Sequence, residues 1–269
     1  MPMPPELVFL LTLILRMAIA AAFVVTASII TERSGPVIGA LFATLPISTG
    51  PSYVFLALDH DAAFIAQAAQ ASLPATAAII ILCLVYVVLA QRRSLVVSFG
   101  GALVVWIALA SIIRQFDWSL TGGLVLNAVA FGICIPLLAR YRHVKMPLVV
   151  RRWYDIPLRA SLVAALIAIV VTTSGWVGPK VSGVIAIFPV VFTSIMLIFH
   201  PRIGGPATAA IVANGGWGLL GFGMAIVTLH VATLHFGSTI GLSAALATGM
   251  IWNLMLWWTG RRRRLARQA

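Results

Sequence analysis

The chain consists of long apolar segments with almost no charge, separated by short polar connections. Breaking the apolar runs at charges and at Pro/Gly clusters leaves nine segments, each long enough to cross a hydrocarbon layer about 30 Å thick as an α-helix. The pattern predicts an all-α polytopic membrane protein with nine transmembrane helices, here called spans 1 to 9. They cover residues 8–30, 36–58, 63–90, 94–113, 119–139, 156–174, 179–199, 207–231 and 239–259.

The composition points to the same class. Of the 269 residues, 61% are hydrophobic and 9% are charged, whereas soluble domains carry about 25% charged residues. A soluble globular fold is therefore excluded. The net charge of +12 would suggest nucleic acid as the partner of a soluble protein, but the placement of the charges follows a membrane topology instead. We expect no nucleic-acid partner.

The basic residues are distributed unevenly between the two sides of the predicted bundle. Fourteen of the 18 Lys and Arg lie in alternate connections or in the C-terminal tail, and the other connections hold Arg114 and Lys180. Because short cytoplasmic loops accumulate Lys and Arg, we expect the N-terminus outside and the C-terminus in the cytoplasm of a bacterial cell, in a multi-pass inner-membrane protein. The basic tail, residues 261–267, is expected to contact anionic lipids at the cytoplasmic face of the bilayer.

The sequence contains an internal repeat. Residues 15–57 align without a gap with residues 158–200 at an offset of 143 positions, and eight of the 43 aligned pairs are identical. The identical pairs include Gly-Pro at 35–36 and 178–179, and Pro46 with Pro189. A fixed offset between such informative residues indicates a duplicated unit.

The two copies are expected to have opposite orientations, because the repeat starts at span 1 and again at span 6, five crossings later. Spans 1–4 would correspond to spans 6–9, with span 5 as the linking helix. The predicted organisation is a first repeat at residues 1–118, span 5 with a basic loop at 119–154, and a second repeat with the basic tail at 155–269. Inverted repeats that meet near the bilayer midplane are typical of secondary transporters.

Spans 2 and 7 are predicted to be interrupted helices. Proline within a helix removes an amide donor and frees carbonyl groups, which need partners that lipid cannot provide. Interrupted segments at matching positions in two halves favour a substrate site; a kink that serves packing alone is the alternative. The candidate substrate-binding residues in these spans are Pro46, Ser48, Thr49, Ser52, Tyr53, Pro189, Thr193 and Ser194.

Polar residues in neighbouring spans extend this candidate site. Gln67 and Gln70 share a face of span 3 because they are three residues apart, and Asn214 lies opposite Gln70 when one residue is inserted into the repeat alignment. Hydrogen bonding between packed helices is the alternative role of these amides. Arg16 and Arg159 are matched charges inside spans 1 and 6, and they are candidate gating residues or arginines that snorkel to the interface.

The sequence offers little for catalysis. The six carboxylates all fall in or beside connections, and the His and Cys spacings match no metal motif. Neither a Walker motif nor a nucleophile elbow is present. We therefore expect no enzyme, no catalytic residue, no metal site and no cofactor, and a coupling ion of unknown identity is left open.

One short motif resembles a known family. In SGVIAIFPVVFTSIMLIFH, residues 182–200, the pattern G-x-I-x-x-F-P is similar to the second helix of small four-helix bacterial inner-membrane proteins of the GlpM-like type. Gly183, Phe188 and Pro189 carry the match, and Pro46 extends it to the first copy, where Leu45 replaces the Phe. The resemblance implies a fused, inverted pair of four-helix units with a linking helix, and it leaves the substrate open.

These patterns together predict a secondary transporter or facilitator that moves a small anionic or zwitterionic solute by alternating access. Its partners would be that small-molecule substrate and the lipid bilayer, and a homodimer is one assembly the sequence allows. The alternative function is a non-transporting membrane subunit or scaffold for a partner in envelope biosynthesis or export.

Overall fold

The structure, a computed structural model, describes residues 4–33, 48–144 and 152–265, with the side chains of residues 4–29, 48–144 and 152–260. Every regular element in these ranges is a helix. The helices are α1 (Pro5–Arg33), α2 (Thr49–Asp59), α3 (Ala62–Leu89), α4 (Leu95–Ile113), α5 (Leu120–Ala139), α6 (Asp155–Ala186), α7 (Val190–Ile203), α8 (Gly205–Asn214), α9 (Gly216–Phe236) and α10 (Ser238–Leu265).

Seven helical stretches in the described part of the chain are long and apolar enough to cross a membrane. The all-α class is therefore confirmed, and the lengths and composition of these helices are those of a multi-pass membrane protein. Helix α2 is the described part of span 2, α7 is the second part of span 7, and α8 with α9 forms span 8. The seven stretches are Pro5–Ile29, Ala62–Leu89, Leu95–Ile113, Leu120–Ala139, Asp155–Ala186, Gly205–Phe236 and Ser238–Gly260.

Helix α3 is the centre of the bundle. In its most apolar window 72% of the residues are buried, against 11% in α1 and in α10. Helices α4, α5, α6 and α9 all pack along it. Its first half is rich in Ala, and small side chains let neighbouring helices approach closely where no hydrophobic effect drives helices together in lipid.

The chain reverses direction within α6. Ser174 lies 3.0 Å from His60, two residues before α3 begins, whereas the carbonyl of Gly183 lies 2.8 Å from Ser72, in the middle of α3. The segment after Gly178 thus runs back along α3. Gly178 has φ +71° and ψ 179° and is the one residue of α6 with a non-helical conformation, which a residue without Cβ adopts at little cost.

Spans 6 and 7 were expected to be joined by a connection, and the structure joins them through this single glycine instead. Pro179 follows at the first position of the returning helix, where its missing N–H is not needed. The rest of span 7 continues parallel to α3, because His200 bonds Tyr86 near the end of α3 at 2.8 Å.

Two glycines of the second half fit directly against the backbone of α3. A Cβ on Gly183 would overlap the backbone of Ala68, and a Cβ on Gly205 would overlap the backbone carbonyl of Ala90. Since Ala68 lies near the start of α3 and Ala90 directly follows its end, these two contacts fix span 7 against α3 at both ends.

We therefore expect Gly183→Ala to destabilise the protein by roughly 1–3 kcal/mol, because the added methyl group meets backbone that cannot rotate away. The measurement is thermal unfolding of the detergent-purified protein. The matched control is Gly132→Ala in α5, where a Cβ meets nothing within 4 Å. Equal unfolding temperatures for the two variants would contradict the close packing described above.

Candidate functional site

Span 7 is interrupted in the middle of the bundle. Helix α6 ends at Ala186, α7 begins at Val190, and Pro189 between them has φ −77° and ψ 62°. Within the break the N–H of Phe188 donates to the carbonyl of Ile185 at 2.9 Å, and the N–H of Val190 donates to the carbonyl of Phe188 at 2.7 Å. These tight turns replace the regular helical bonds, so the interruption predicted for span 7 is present.

Two buried hydroxyl groups beside the break lack hydrogen-bond partners. Among the described residues, three buried hydroxyl oxygens are unsatisfied, those of Ser182, Thr193 and Thr233. Ser182 precedes the break and is 0% exposed; Thr193 follows it and is 4% exposed. Most other hydroxyls in these helices donate to a carbonyl of their own helix, as Ser194 does to Val191 at 2.8 Å. An unsatisfied buried polar group is destabilising and requires an explanation.

A third unsatisfied group lies against the break itself. The ring of Trp106 in α4 meets the ring of Phe188 edge to face, with centroids 5.0 Å apart. The indole N–H of Trp106 is buried and has no partner in the described part of the chain. Two hydroxyl groups within four residues of the break, and one N–H donor whose ring contacts it, thus lack a hydrogen-bond partner in the described part of the chain.

A hydrogen-bond chain connects span 2 to this region. Tyr53 Oη lies 2.6 Å from Ser72 Oγ, which donates to the carbonyl of Gly183 at 2.8 Å. Because Ser72 has a single hydroxyl proton and the carbonyl can only accept, Tyr53 must be the donor to Ser72. Tyr53 and Ser72 are 1% and 0% exposed, so the chain lies inside the protein.

The other candidate residues of span 2 lie near Tyr53 along the same short helix. Ser48 and Thr49 are buried at its start, and Ser52 donates to the carbonyl of Ser48 at 2.9 Å. Thr49 and Tyr53 also border a largely apolar cavity of about 520 Å³ between α1, α2, α9 and α10. Pro46 lies outside the described residues, so the predicted interruption of span 2 stays a prediction.

The amides predicted to complete the site are placed elsewhere and apart from each other. Gln70 donates to the carbonyl of Trp118 at 2.7 Å, and together with Gln67 it lines a cavity of about 210 Å³ near the α4–α5 connection. Asn214 is exposed and donates to the carbonyl of Ala210 at 2.9 Å. Both amides bond to nearby carbonyls, and the structure does not bring them together at the break.

The arginines proposed as gates both lie beside carboxylates. Arg16 forms a bidentate ion pair with Asp59 at the end of α2, and one of its two N–O distances is 2.7 Å. Arg159 lies one turn after Asp155, on the same face of α6, and Asp155 accepts from Arg202 at 2.8 and 2.9 Å. The two arginines were predicted from the sequence as charges inside spans, whereas Asp59, Asp155 and Arg202 were placed in or beside connections.

Ser72, Ser182 and Trp106 were not among the candidate residues predicted from the sequence. Ser72 stands two residues from Gln70 and Ser182 begins the motif containing Pro189, so both were visible as hydroxyls near candidate residues. Nothing in the sequence places Trp106 against Phe188. Among the described residues, no group of three or more His, Cys, Asp and Glu side chains could hold a metal ion.

Comparison with protein-family models, with curated proteins and with solved structures gave no match.

The hydrogen-bond chain makes a testable distinction between its two side chains. Ser72→Ala should destabilise the protein more than Tyr53→Phe, because it leaves both the Tyr53 hydroxyl and the Gly183 carbonyl without a partner. We expect about 1 kcal/mol for Tyr53→Phe and roughly twice that for Ser72→Ala, measured by denaturant or thermal unfolding in detergent. Ser161→Ala, on an exposed face of α6, should change little. A larger loss of stability for Tyr53→Phe than for Ser72→Ala would show that the hydrogen bonds do not run from Tyr53 through Ser72 to Gly183.

Proposed function

We propose that the protein is a secondary transporter or facilitator of a small solute, with the substrate bound at the break in span 7. The observation that carries the proposal is a broken helix buried in protein, flanked by Ser182, Thr193 and Trp106 with unsatisfied polar groups. A polar group left without a partner inside an apolar bundle is costly, and a bound solute, ion or water would satisfy it.

The packing of the helices supports two related halves. Span 1 packs against span 6, and span 3 packs against span 8. Span 4 contacts spans 3 and 7, and span 9, which corresponds to span 4, contacts spans 8 and 2. Spans 8 and 2 are the counterparts of spans 3 and 7, so these contacts are the ones that a two-fold exchange of the halves requires. We propose nine crossings in two inverted repeats, residues 1–118 and 155–269, linked by span 5.

The relative direction of spans 1 and 6 fits inversion. Thr12 and Arg16 in the first part of α1 border the same cavity as Ser174 and Gly175 in the later part of α6. Packed helices that meet in this way run antiparallel. Two halves with opposite orientations allow two similar packings, each open to one side of the membrane. The GlpM-like resemblance would assign the same architecture.

The break indicates which solutes would bind. The first turn of α7 directs N–H groups toward the break, which favour an anionic group. The last turn of α6 directs carbonyls toward it, which favour a cation, and those of Gly183 and Ile185 already accept hydrogen bonds. The described carboxylates, Glu6, Asp59, Asp61, Asp117 and Asp155, lie at helix ends or in connections. An anionic or zwitterionic solute is therefore proposed, and a coupling ion at the break would be monovalent, because divalent ions prefer carboxylate ligands.

The membrane and its sides are also part of the proposal. The uneven distribution of Lys and Arg between alternate connections favours a bacterial inner membrane with the N-terminus outside and the C-terminus in the cytoplasm. The side of the bundle that carries Arg202 would then face the cytoplasm, and the side that carries Asp59 would face outward.

A non-transporting scaffold is the second candidate. It is favoured by the internal hydrogen bonds of Gln70 and Asn214, which already give these polar groups partners within the protein. For a scaffold the break is permanently dry, so a cysteine at Thr193 should never react with a water-soluble thiol reagent.

The transport proposal predicts a ligand that raises the unfolding temperature, since a solute that binds the folded state stabilises it by mass action. The detergent-purified protein would be heated with graded concentrations of sodium, potassium, single amino acids and small carboxylates. One solute class should give a concentration-dependent shift, and Thr193→Val should reduce that shift by at least half. Thr173→Val is the control, because Thr173 bonds its own helix at 2.7 Å.

The stabilising solute would then be offered, radiolabelled, to proteoliposomes. Uptake that Thr193→Val lowers and Thr173→Val leaves unchanged supports the proposal. A complete absence of thermal shifts, or equal uptake by both variants, would contradict it.

A further inference from the structure

Two shielded ion pairs join the first and second spans of each proposed repeat. Arg16 of α1 pairs with Asp59, the last residue of α2. Asp155, the first residue of α6, pairs with Arg202 near the end of α7. Continuing the repeat offset of 143 positions places Asp59 opposite Arg202. The second spans of the two halves therefore end in opposite charges at the same repeat position.

The two pairs lie at opposite ends of the bundle. Asp59 is three residues before the start of α3, and His200, two residues from Arg202, bonds Tyr86 near the end of α3. Helix α3 has 28 residues, so its ends are about 40 Å apart at about 1.5 Å per residue. One pair therefore lies at each side of the membrane, at the Asp59 face and at the Arg202 face.

Both pairs are partly withdrawn from the surface, and Asp155–Arg202 is the more buried of the two. The side chains of Arg16 and Asp59 are 15% and 31% exposed, and those of Arg202 and Asp155 are 9% and 11% exposed. Each arginine also lies over an aromatic ring, Arg16 over Phe55 at 5.7 Å and Arg202 over Tyr154 at 5.7 Å.

The exposed pair between Lys180 and Asp117 is different. Its side chains are 56% and 85% exposed, so water already solvates both charges and the pair contributes little. In a shielded pair, separation of the charges is unfavourable unless water enters with it. Opening of either shielded pair is thus coupled to hydration of the adjacent end of spans 1 and 2 or of spans 6 and 7.

We infer that Arg16–Asp59 and Asp155–Arg202 are the two locks of the transport cycle, each closing one face of the path to the break in span 7. This inference rests on the proposed transport function. Both pairs are formed in the structure, which therefore corresponds to the occluded state. Each half supplies one lock. The signs of the two charges are exchanged between the halves, so Asp59 in the second span of one half corresponds to Arg202 in the second span of the other.

The experiment uses a reporter cysteine at the break. Thr193→Cys would be placed in a background with Cys83→Ala and Cys134→Ala, since these two are the native cysteines. Sealed vesicles of known orientation would be treated with a membrane-impermeant maleimide from one face at a time. Asp59→Asn should raise the labelling rate from the Asp59 face, and Arg202→Gln should raise it from the Arg202 face. About tenfold is expected, which needs a change of only about 1.4 kcal/mol in closure.

Two further variants make the test specific. Asp117→Asn breaks the exposed pair and should leave labelling from both faces unchanged. The swap of Arg16→Asp with Asp59→Arg should return labelling to the level of the parent protein, because the pair can form with its charges exchanged. If Asp59→Asn yields no folded protein, Arg16→Gln opens the same lock and is read in the same way.

Labelling that rises from the same face in both single variants, or in neither, would overturn the inference, as would a swap that fails to restore closure in folded protein. The readout needs no substrate. Face-specific labelling without any solute that binds or crosses would support the two locks and refute transport. Solute uptake with unchanged labelling would support transport and refute the locks.

Discussion

Lipid cannot hydrogen-bond to a peptide group, and this constraint decides where a transmembrane helix can be broken. The break at Pro189 is tolerated because neighbouring protein replaces the lost helical bonds. The turns at Phe188 and Val190 satisfy part of the backbone, and Ser72 satisfies the carbonyl of Gly183 from the neighbouring helix. The buried α3 therefore makes the irregular backbone of span 7 possible.

The same constraint explains the composition of α3. Half of its first 14 residues are Ala, which leaves room for the backbone of Gly183 to lie directly against Ala68. Only this close approach brings the Gly183 carbonyl within reach of the Ser72 hydroxyl. Ser72 in turn accepts from Tyr53, so the packing of small residues is what connects the two candidate spans of the site.

The sequence predicts those features that depend on local chemistry. The apolar lengths identify the spans, Gly178 with Pro179 marks the reversal, and Pro189 marks the break, because each depends on the conformations open to one or two residues. The partners of Gln70 and Arg16 could not be predicted in this way. A hydrogen bond to the carbonyl of Trp118, or an ion pair with Asp59 across 43 positions of sequence, depends on how whole helices pack.

Packing also limits which parts of the molecule can move in the proposed cycle. The close contacts of Gly183 with Ala68 and of Gly205 with Ala90 fix span 7 to α3 above and below the break. Interiors of this density rearrange between discrete packings rather than deforming continuously. Within span 7, a change that keeps both glycine contacts must therefore be confined to the segment between them. That segment contains Pro189, Thr193 and Arg202, so the break, the unsatisfied hydroxyl and one ion pair would all rearrange together.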